Sequence, residues 1–216
     1  MINKKIFLIV LIFPACNNFS DTKISQQRPE NSTNAVVKLI DSLGTITLSM
    51  PLRYDTNFSW VQYSDCGKSC DEEKYRFQPK RLPINRESGW FNSKIKKDST
   101  EEFTISHKLF FPFHEGDTSR DIQRHNVIKS EIMFDFQNPS IAYDTIEKIN
   151  DRYFTIIAIK KDDTIHSMRV LAITTIKSNE IRFEFELTTK KLDSIGLNFI
   201  DNSIKVIRTI RLSKGV

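Results

Sequence analysis

The sequence predicts an α+β domain, a mainly antiparallel sheet with one or two helices packed on it. Extended runs rich in β-branched and aromatic residues recur from Val36 onward, separated by turn residues. One of them, residues 181–187, alternates cleanly: Ile181, Phe183, Phe185 and Leu187 fall on one side, and Arg182, Glu184 and Glu186 on the other. Helical spacing is confined to two stretches, so runs of strands follow one another directly, as in α+β folds.

Taken in order, VVKLI (36–40) and TITLSMP (45–51) flank the turn-like 41–44 and predict a hairpin. Further strands are predicted at 58–63, 74–84 and 102–111, with Pro112 interrupting the last. Residues 118–130 predict a helix, with Thr118 and Ser119 as caps and a weak apolar pattern. EKINDRYFTIIAIKK carries Asn150-Asp151 between two extended runs and reads as a hairpin. SMRVLAITT and EIRFEFEL pair across residues 177–179. Leu192, Ile195, Phe199 and Ile200 repeat at helical spacing. The run SIKVIRTIRL that follows is ambiguous: Ile204, Val206 and Ile210 share a strand face, whereas Ile207 and Ile210 suit a helix.

The hairpin KINDRYFTIIAI, the paired strands RVLAITT and IRFEFEL, and the segment LNFIDNSI together resemble the PsbP-like fold. The resemblance covers the last half of the chain and rests on pattern. It implies a binding or assembly module and not an enzyme.

Composition narrows the class without selecting an activity. The 216 residues are 39% hydrophobic and 27% charged, with net charge +5. That balance excludes a disordered chain, and three cysteines are too few for a disulfide-built miniprotein. With 6 glycines, Gly-rich phosphate loops have little to be built from, and no Walker loop, dinucleotide fingerprint or G-x-S-x-G elbow occurs.

The N-terminus carries an address. Lys4 and Lys5 precede the apolar run Ile6–Phe13, which is too short to span a bilayer core needing about 20 residues and fits the h-region of a signal peptide. Ala15 then precedes Cys16. The segment resembles a bacterial lipoprotein signal, in which a short lipobox ends at the lipidated cysteine. Ala15 and Cys16 match that pattern, while Phe13 and Pro14 depart from it. The resemblance implies cleavage between Ala15 and Cys16, a diacylglyceryl group on the sulfur and a fatty acyl chain such as palmitate on the new amino group. Two or more chains anchor stably, at about 0.8 kcal/mol per buried methylene. The alternative is a plain secretory peptide in which Cys16 is incidental. Loss of Lys4 and Lys5 with residues 1–15 lowers the net charge from +5 to +3, too weak a field to predict nucleic-acid binding. Residues 16–35 are rich in Asn, Ser, Thr and Gln and predict a flexible tether of roughly 25 Å mean reach. Residues 36–214 then form one domain. The expected location is the bacterial cell envelope, on the outer membrane or the periplasmic face.

Within the domain, Cys66 and Cys70 stand in SDCGKSCDEE. Outside the cytoplasm so close a pair is most simply a disulfide, contributing about 2 kcal/mol by closing a small loop. The alternative is a C-x3-C redox or metal site, for which no second ligand pair stands at zinc spacing. His107, His114, His125 and His166 read as ordinary surface or core-edge residues, and Glu72-Glu73 and Glu101-Glu102 as solvated carboxylates. Residues 74–97 are strongly basic; Lys74, Arg76, Lys80, Arg81 and Arg86, interleaved with aromatic residues, form a candidate patch for an anionic lipid, polysaccharide or protein. No cofactor, metal site or catalytic residue is predicted. The expected function is a lipid-anchored envelope binding or scaffolding module; the alternatives are an envelope hydrolase and a thiol-redox or metal protein at Cys66 and Cys70.

Overall fold

The computed structural model describes residues 29, 31–40, 43–87, 99–110, 122–137 and 139–213. Their architecture is α+β, as predicted. A small sheet is formed by β1 (Ser32–Lys38), β2 (Thr45–Pro51) and β10 (Arg211–Ser213), in the order β1-β2-β10. A seven-stranded antiparallel sheet is formed by β3 (Thr56–Gln62), β4 (Glu72–Gln78), β5 (Thr100–Lys108), β6 (Ser140–Ile149), β7 (Arg152–Lys161), β8 (His166–Ile176) and β9 (Asn179–Thr189). Its order is β3-β4-β5-β9-β8-β7-β6. Three helices accompany them: α1 (Ile122–Asp135), α2 (Ser194–Leu197) and α3 (Phe199–Ile207).

The predicted hairpins form where turn chemistry allows. Gly44, with φ 98°, carries the left-handed backbone between β1 and β2, which glycine adopts without a Cβ penalty, and the Leu39 amide donates to its carbonyl at 3.0 Å. Asn150 (φ 54°) turns β6 into β7, and Lys177 and Ser178 (φ 50° and 64°) turn β8 into β9.

Both faces of the large sheet are used. Residues directly opposite in neighbouring strands share a face, so register alone defines two rows. The first runs Phe77, Phe103, Phe185, Val170, Ala158, Tyr143 across β4, β5, β9, β8, β7 and β6. This face belongs to the main core. Phe103 and Phe185 stack with centroids 4.2 Å apart, and Phe199 of α3 meets Phe185 edge-on. Val206, Ile207, Ile46 and Leu48 complete the layer beneath the small sheet. The second row runs Phe58, Arg76, Thr104, Glu184, Leu171, Ile157, Asp144 across all seven strands. It changes character halfway. Leu171 and Ile157, with Ile159 and Ile173, are buried under Ile128 and Ile132 of α1, whereas Arg76 and Glu184 belong to an ionic layer.

Several boundaries differ from the sequence reading: β1 begins at Ser32, so the folded part starts inside the segment 16–35 predicted as a tether, because residues 32–35 pair with β2. The strand predicted at 74–84 ends at Gln78, because Pro79 offers no amide to a ladder. Helix α1 continues to Asp135, past the predicted end at 130, while the predicted start at 118 lies among residues 111–121, outside the described residues. The single late helix predicted through Leu192–Ile200 is two. Asp193 caps α2, its Oδ1 accepting from the amides of Ile195 and Gly196 at 3.0 and 2.9 Å. α3 then starts at Phe199 and continues beyond Asn202 to Ile207. The ambiguous segment is therefore helix first and strand last, since β2 offers Ile46 as the partner of Leu212. The polar side of β9 is only half wet: Glu184 and Glu186 are partly enclosed in ion pairs with Arg169.

Candidate functional site at the turn end of the large sheet

Antiparallel register gathers the polar turns at one end. β5 finishes at Lys108 beside the start of β9, β8 finishes beside the start of β7, and the 150–151 and 177–178 turns lie at that same end. The loop joining β3 to β4, with Cys66 and Cys70, is there as well.

Each segment of this end is tied to its neighbour. The Ser64 amide donates to Asp71 Oδ1 at 2.8 Å, and the Leu109 amide donates to the Asp71 carbonyl at 2.9 Å. Lys108 Nζ reaches the Cys70 carbonyl at 3.3 Å and Glu72 at 2.9 Å. Asn179 Nδ2 donates to the Lys108 carbonyl at 3.2 Å, and His107 Nδ1 lies 3.0 Å from the same oxygen. Arg152 Nη1 donates to the Thr175 carbonyl at 2.7 Å. Asn150 Nδ2 donates to the Ile210 carbonyl at 2.5 Å, which joins the large sheet to the segment entering β10.

Four buried polar atoms at this end have no partner: Gln62 Oε1, His107 Nε2, Asn179 Oδ1 and Thr175 Oγ1. Burial holds the His107 imidazole below its ordinary value; its bond to the Lys108 carbonyl and the charges of Glu73 and Glu72 oppose this. At the same end of the sheet is a cavity of about 330 Å³, lined by the apolar Ile149, Phe154, Ile210 and Leu212 and by the polar Asn150, Asp151, Arg152 and Arg211. An apolar floor with a few convergent polar groups is the general form of a small-ligand site.

The predicted site residues fall elsewhere or in part here. Ala15 and Cys16 lie outside the described residues. Cys66 and Cys70 lie close together, with Cα atoms 5.9 Å apart, a spacing that a disulfide can bridge. The five basic residues do not form one surface patch. Arg76 is 3% exposed in its side chain, held by Glu87 at 2.8 Å, Glu102 at 3.1 Å and Thr104 Oγ1 at 3.0 Å, with Trp60 over its guanidinium. Lys74 pairs with Glu87 at 3.3 Å, and Arg81 with Glu101 at 2.6 Å. Lys80 and Arg86 are exposed, Arg86 lying over the Phe58 ring. Alternation put Arg76 on the face opposite Phe77, but nothing local to the strand showed that this face was closed by buried carboxylates. Glu101 and Glu102 are correspondingly 3% and 7% exposed, not solvated. Arg76 draws the Glu87 carboxyl below its ordinary value against the opposing effect of burial, which is the largest single influence on it. Glu184 is pushed up by burial, which outweighs the attraction of Arg169.

His125, read from the sequence as a surface or core-edge residue, belongs to the buried edge. On α1 it is buried, with Nε2 2.6 Å from Asp144 Oδ1 and Nδ1 3.3 Å from Thr155 Oγ1. A hydroxyl, an imidazole and a carboxylate in line have the connectivity of a nucleophile relay. Thr155 is 4% exposed, beneath the helix, so the chain of bonds fastens α1 to the sheet and offers no attacking oxygen to a substrate. Lys129 holds the other oxygen of Asp144. Its i+4 spacing from His125 was the available signal. Among the described residues, no three His, Cys, Asp or Glu side chains gather as a metal site.

No protein-family model matches the sequence, and no curated protein matches it. Solved structures share parts of the architecture. A Bacteroides thetaiotaomicron protein is similar at 15% identity and a TM-score of 0.38, over 78% of this chain. This chain spans 45% of that protein's length. The cyanobacterial PsbP of Synechocystis is similar at 9% identity and a TM-score of 0.44, covering 84% of this chain and 93% of its own. The Ran-binding protein Mog1p of Saccharomyces cerevisiae is similar at 8% identity and a TM-score of 0.43, covering 84% and 96%. At TM-scores below 0.5, these likenesses assign no activity to the chain.

Proposed function

We propose that the protein is a non-catalytic binding or scaffolding module of the bacterial envelope, held to its membrane by lipid on Cys16. The observation that supports this reading is the opposition of two ends of the large sheet. The first described strand enters at one end: the Asn31 carbonyl accepts from the Leu52 amide at 2.9 Å, and neighbouring Arg53 binds Glu101 at the start of β5 at 2.7 Å. The cavity and the turns lie at the other end. A tether from Cys16 that ends where β1 begins at Ser32 thus approaches the domain opposite its polar turns, and a strand length of about 30 Å separates them. On this reading the turn end is presented away from the lipid surface, to a protein or an anionic envelope component. Cys66–Cys70 is a closed structural bridge in the same reading.

Mass spectrometry of the mature N-terminus tests the anchor. A lipid-modified Cys16 is expected; an unmodified N-terminus lacking Cys16 overturns it. Crosslinking from reactive groups placed at residue 151 or 177, with pull-down from the native membrane, tests the presentation. Partners are expected from the turn end, and crosslinks confined to lysines of the Glu101 end contradict it.

A further inference from the structure

We propose that the cavity between the β6–β7 turn and β10 binds a carboxylate carried on a small apolar body. The proposal rests on reading the turn end as the binding end. The floor supplies the apolar half: Ile149, Phe154 and Ile210 are each 5% exposed or less and packed in the main core. The rim supplies the ionic half. Arg152 and Arg211 come to it from different sheets, and a guanidinium pairs with a carboxylate through two parallel N–H donors. Asp151 is the one carboxylate among the lining residues, against the two guanidinium groups of Arg152 and Arg211. The walls are preorganised. Arg152 is fixed by its bond to the Thr175 carbonyl, and Asn150 clamps the turn to Ile210, so little ordering is needed on binding. About 330 Å³ lies at the small end of ligand-site volumes, which suits one amino-acid-sized or short-chain acid. The same chemistry is offered by the C-terminal residue of a peptide and by a short fatty acid.

Calorimetric titration of the full-length protein with N-acetyl-leucine, hexanoate and the neutral analogue hexanamide tests the site. Saturable binding of a carboxylate is expected, with no binding of hexanamide. Arg152→Gln and Arg211→Gln are each expected to weaken binding about tenfold or more, as loss of a charged hydrogen bond does. Tighter N-acetyl-leucine points to a peptide terminus as the source, and tighter hexanoate to a fatty acid. Absence of binding by both acids, equal binding of hexanamide, or unchanged affinity in Arg211→Gln overturns the proposal. Arg211 stands exposed on the three-residue β10, so this variant keeps the test valid where Arg152→Gln loses stability. Failure here leaves Cys16 lipidation and crosslinking from the turn end as separate readouts of the broader function.

Discussion

Over β7 and β8 the sheet face turned toward α1 is built of Ile157, Ile159, Leu171 and Ile173. Over β4, β5 and β9 the same face carries Lys74, Arg76, Glu102, Thr104 and Glu184. The two halves are continuous in register and differ in what holds them. The aliphatic half needs a cover, which Ile128 and Ile132 provide, and its energy scales with area and tolerates imprecise geometry. The ionic half depends on pairing: Arg76 is shared by two carboxylates and an aromatic ring, and each member is costly to leave alone. A sheet face is thus closed at one side by burial and at the other by mutual neutralisation.

The largest expected effect is on the ionic half. Arg76→Met removes the buried cation shared by Glu102 and Glu87 and is expected to lower unfolding free energy by about 3–5 kcal/mol in urea titration. Adding Glu87→Gln and Glu102→Gln to it should recover most of that loss. A triple variant as weak as the single one would show that packing, and not charge pairing, governs this half. Leu171→Ala on the aliphatic half is expected to cost about 2–5 kcal/mol, with no charge change able to rescue it.

Acid should act in two stages. Glu87 and Asp144 both titrate below their ordinary 4.5 and 3.8. For each, burial acts upward and is outweighed, by Arg76 and Lys74 for Glu87 and by Lys129 and His125 for Asp144. Their contributions are fully present above those ordinary values and are lost as pH falls through the lower folded values. His107 acts earlier. Its folded value lies below 6.5, so the unfolded chain takes up this proton first and stability declines as pH drops below 6.5. Urea midpoints between about pH 7 and pH 3 should fall in two stages. His107→Gln should remove the upper stage and Glu87→Gln reduce the lower; an upper stage that survives His107→Gln contradicts the assignment.

Smaller effects fall outside both halves. Asp193→Ala removes the α2 cap and is expected to cost about 1 kcal/mol in thermal or urea unfolding. Arg86→Gln, exposed over Phe58, should stay within about 0.5 kcal/mol of the parent. A larger loss would place Arg86 in the same ionic layer as Arg76.

Legibility in the sequence followed the range of the interaction. The β8–β9 hairpin was readable because Ile181, Phe183, Phe185 and Leu187 alternate over a core that takes all four. Most of β6 was not readable: its pattern is largely exposed, and the register shifts between Ile141 and Tyr143. The end of α1 was read short because only His125, Ile128 and Ile132 are buried, while Val127 and Phe134 are exposed and blur the stripe. The turn-end cavity had no linear signal at all, since its lining comes from residues 149–154 and 210–212.

The sequence by itself determined the α+β class, the order of the hairpins and the charge of the domain, because alternation and turn residues act within a few positions along the chain. The tertiary structure alone decided which charges are spent on one another. Arg76 and Glu102 read as surface groups until register set β4 beside β5 and made them partners. It also decided that Arg152 and Arg211 share a cavity, because that requires the chain to return after 58 intervening residues and pair β10 with β2. Burial and pairing are properties of neighbours across space, and periodicity along one strand carries no record of them.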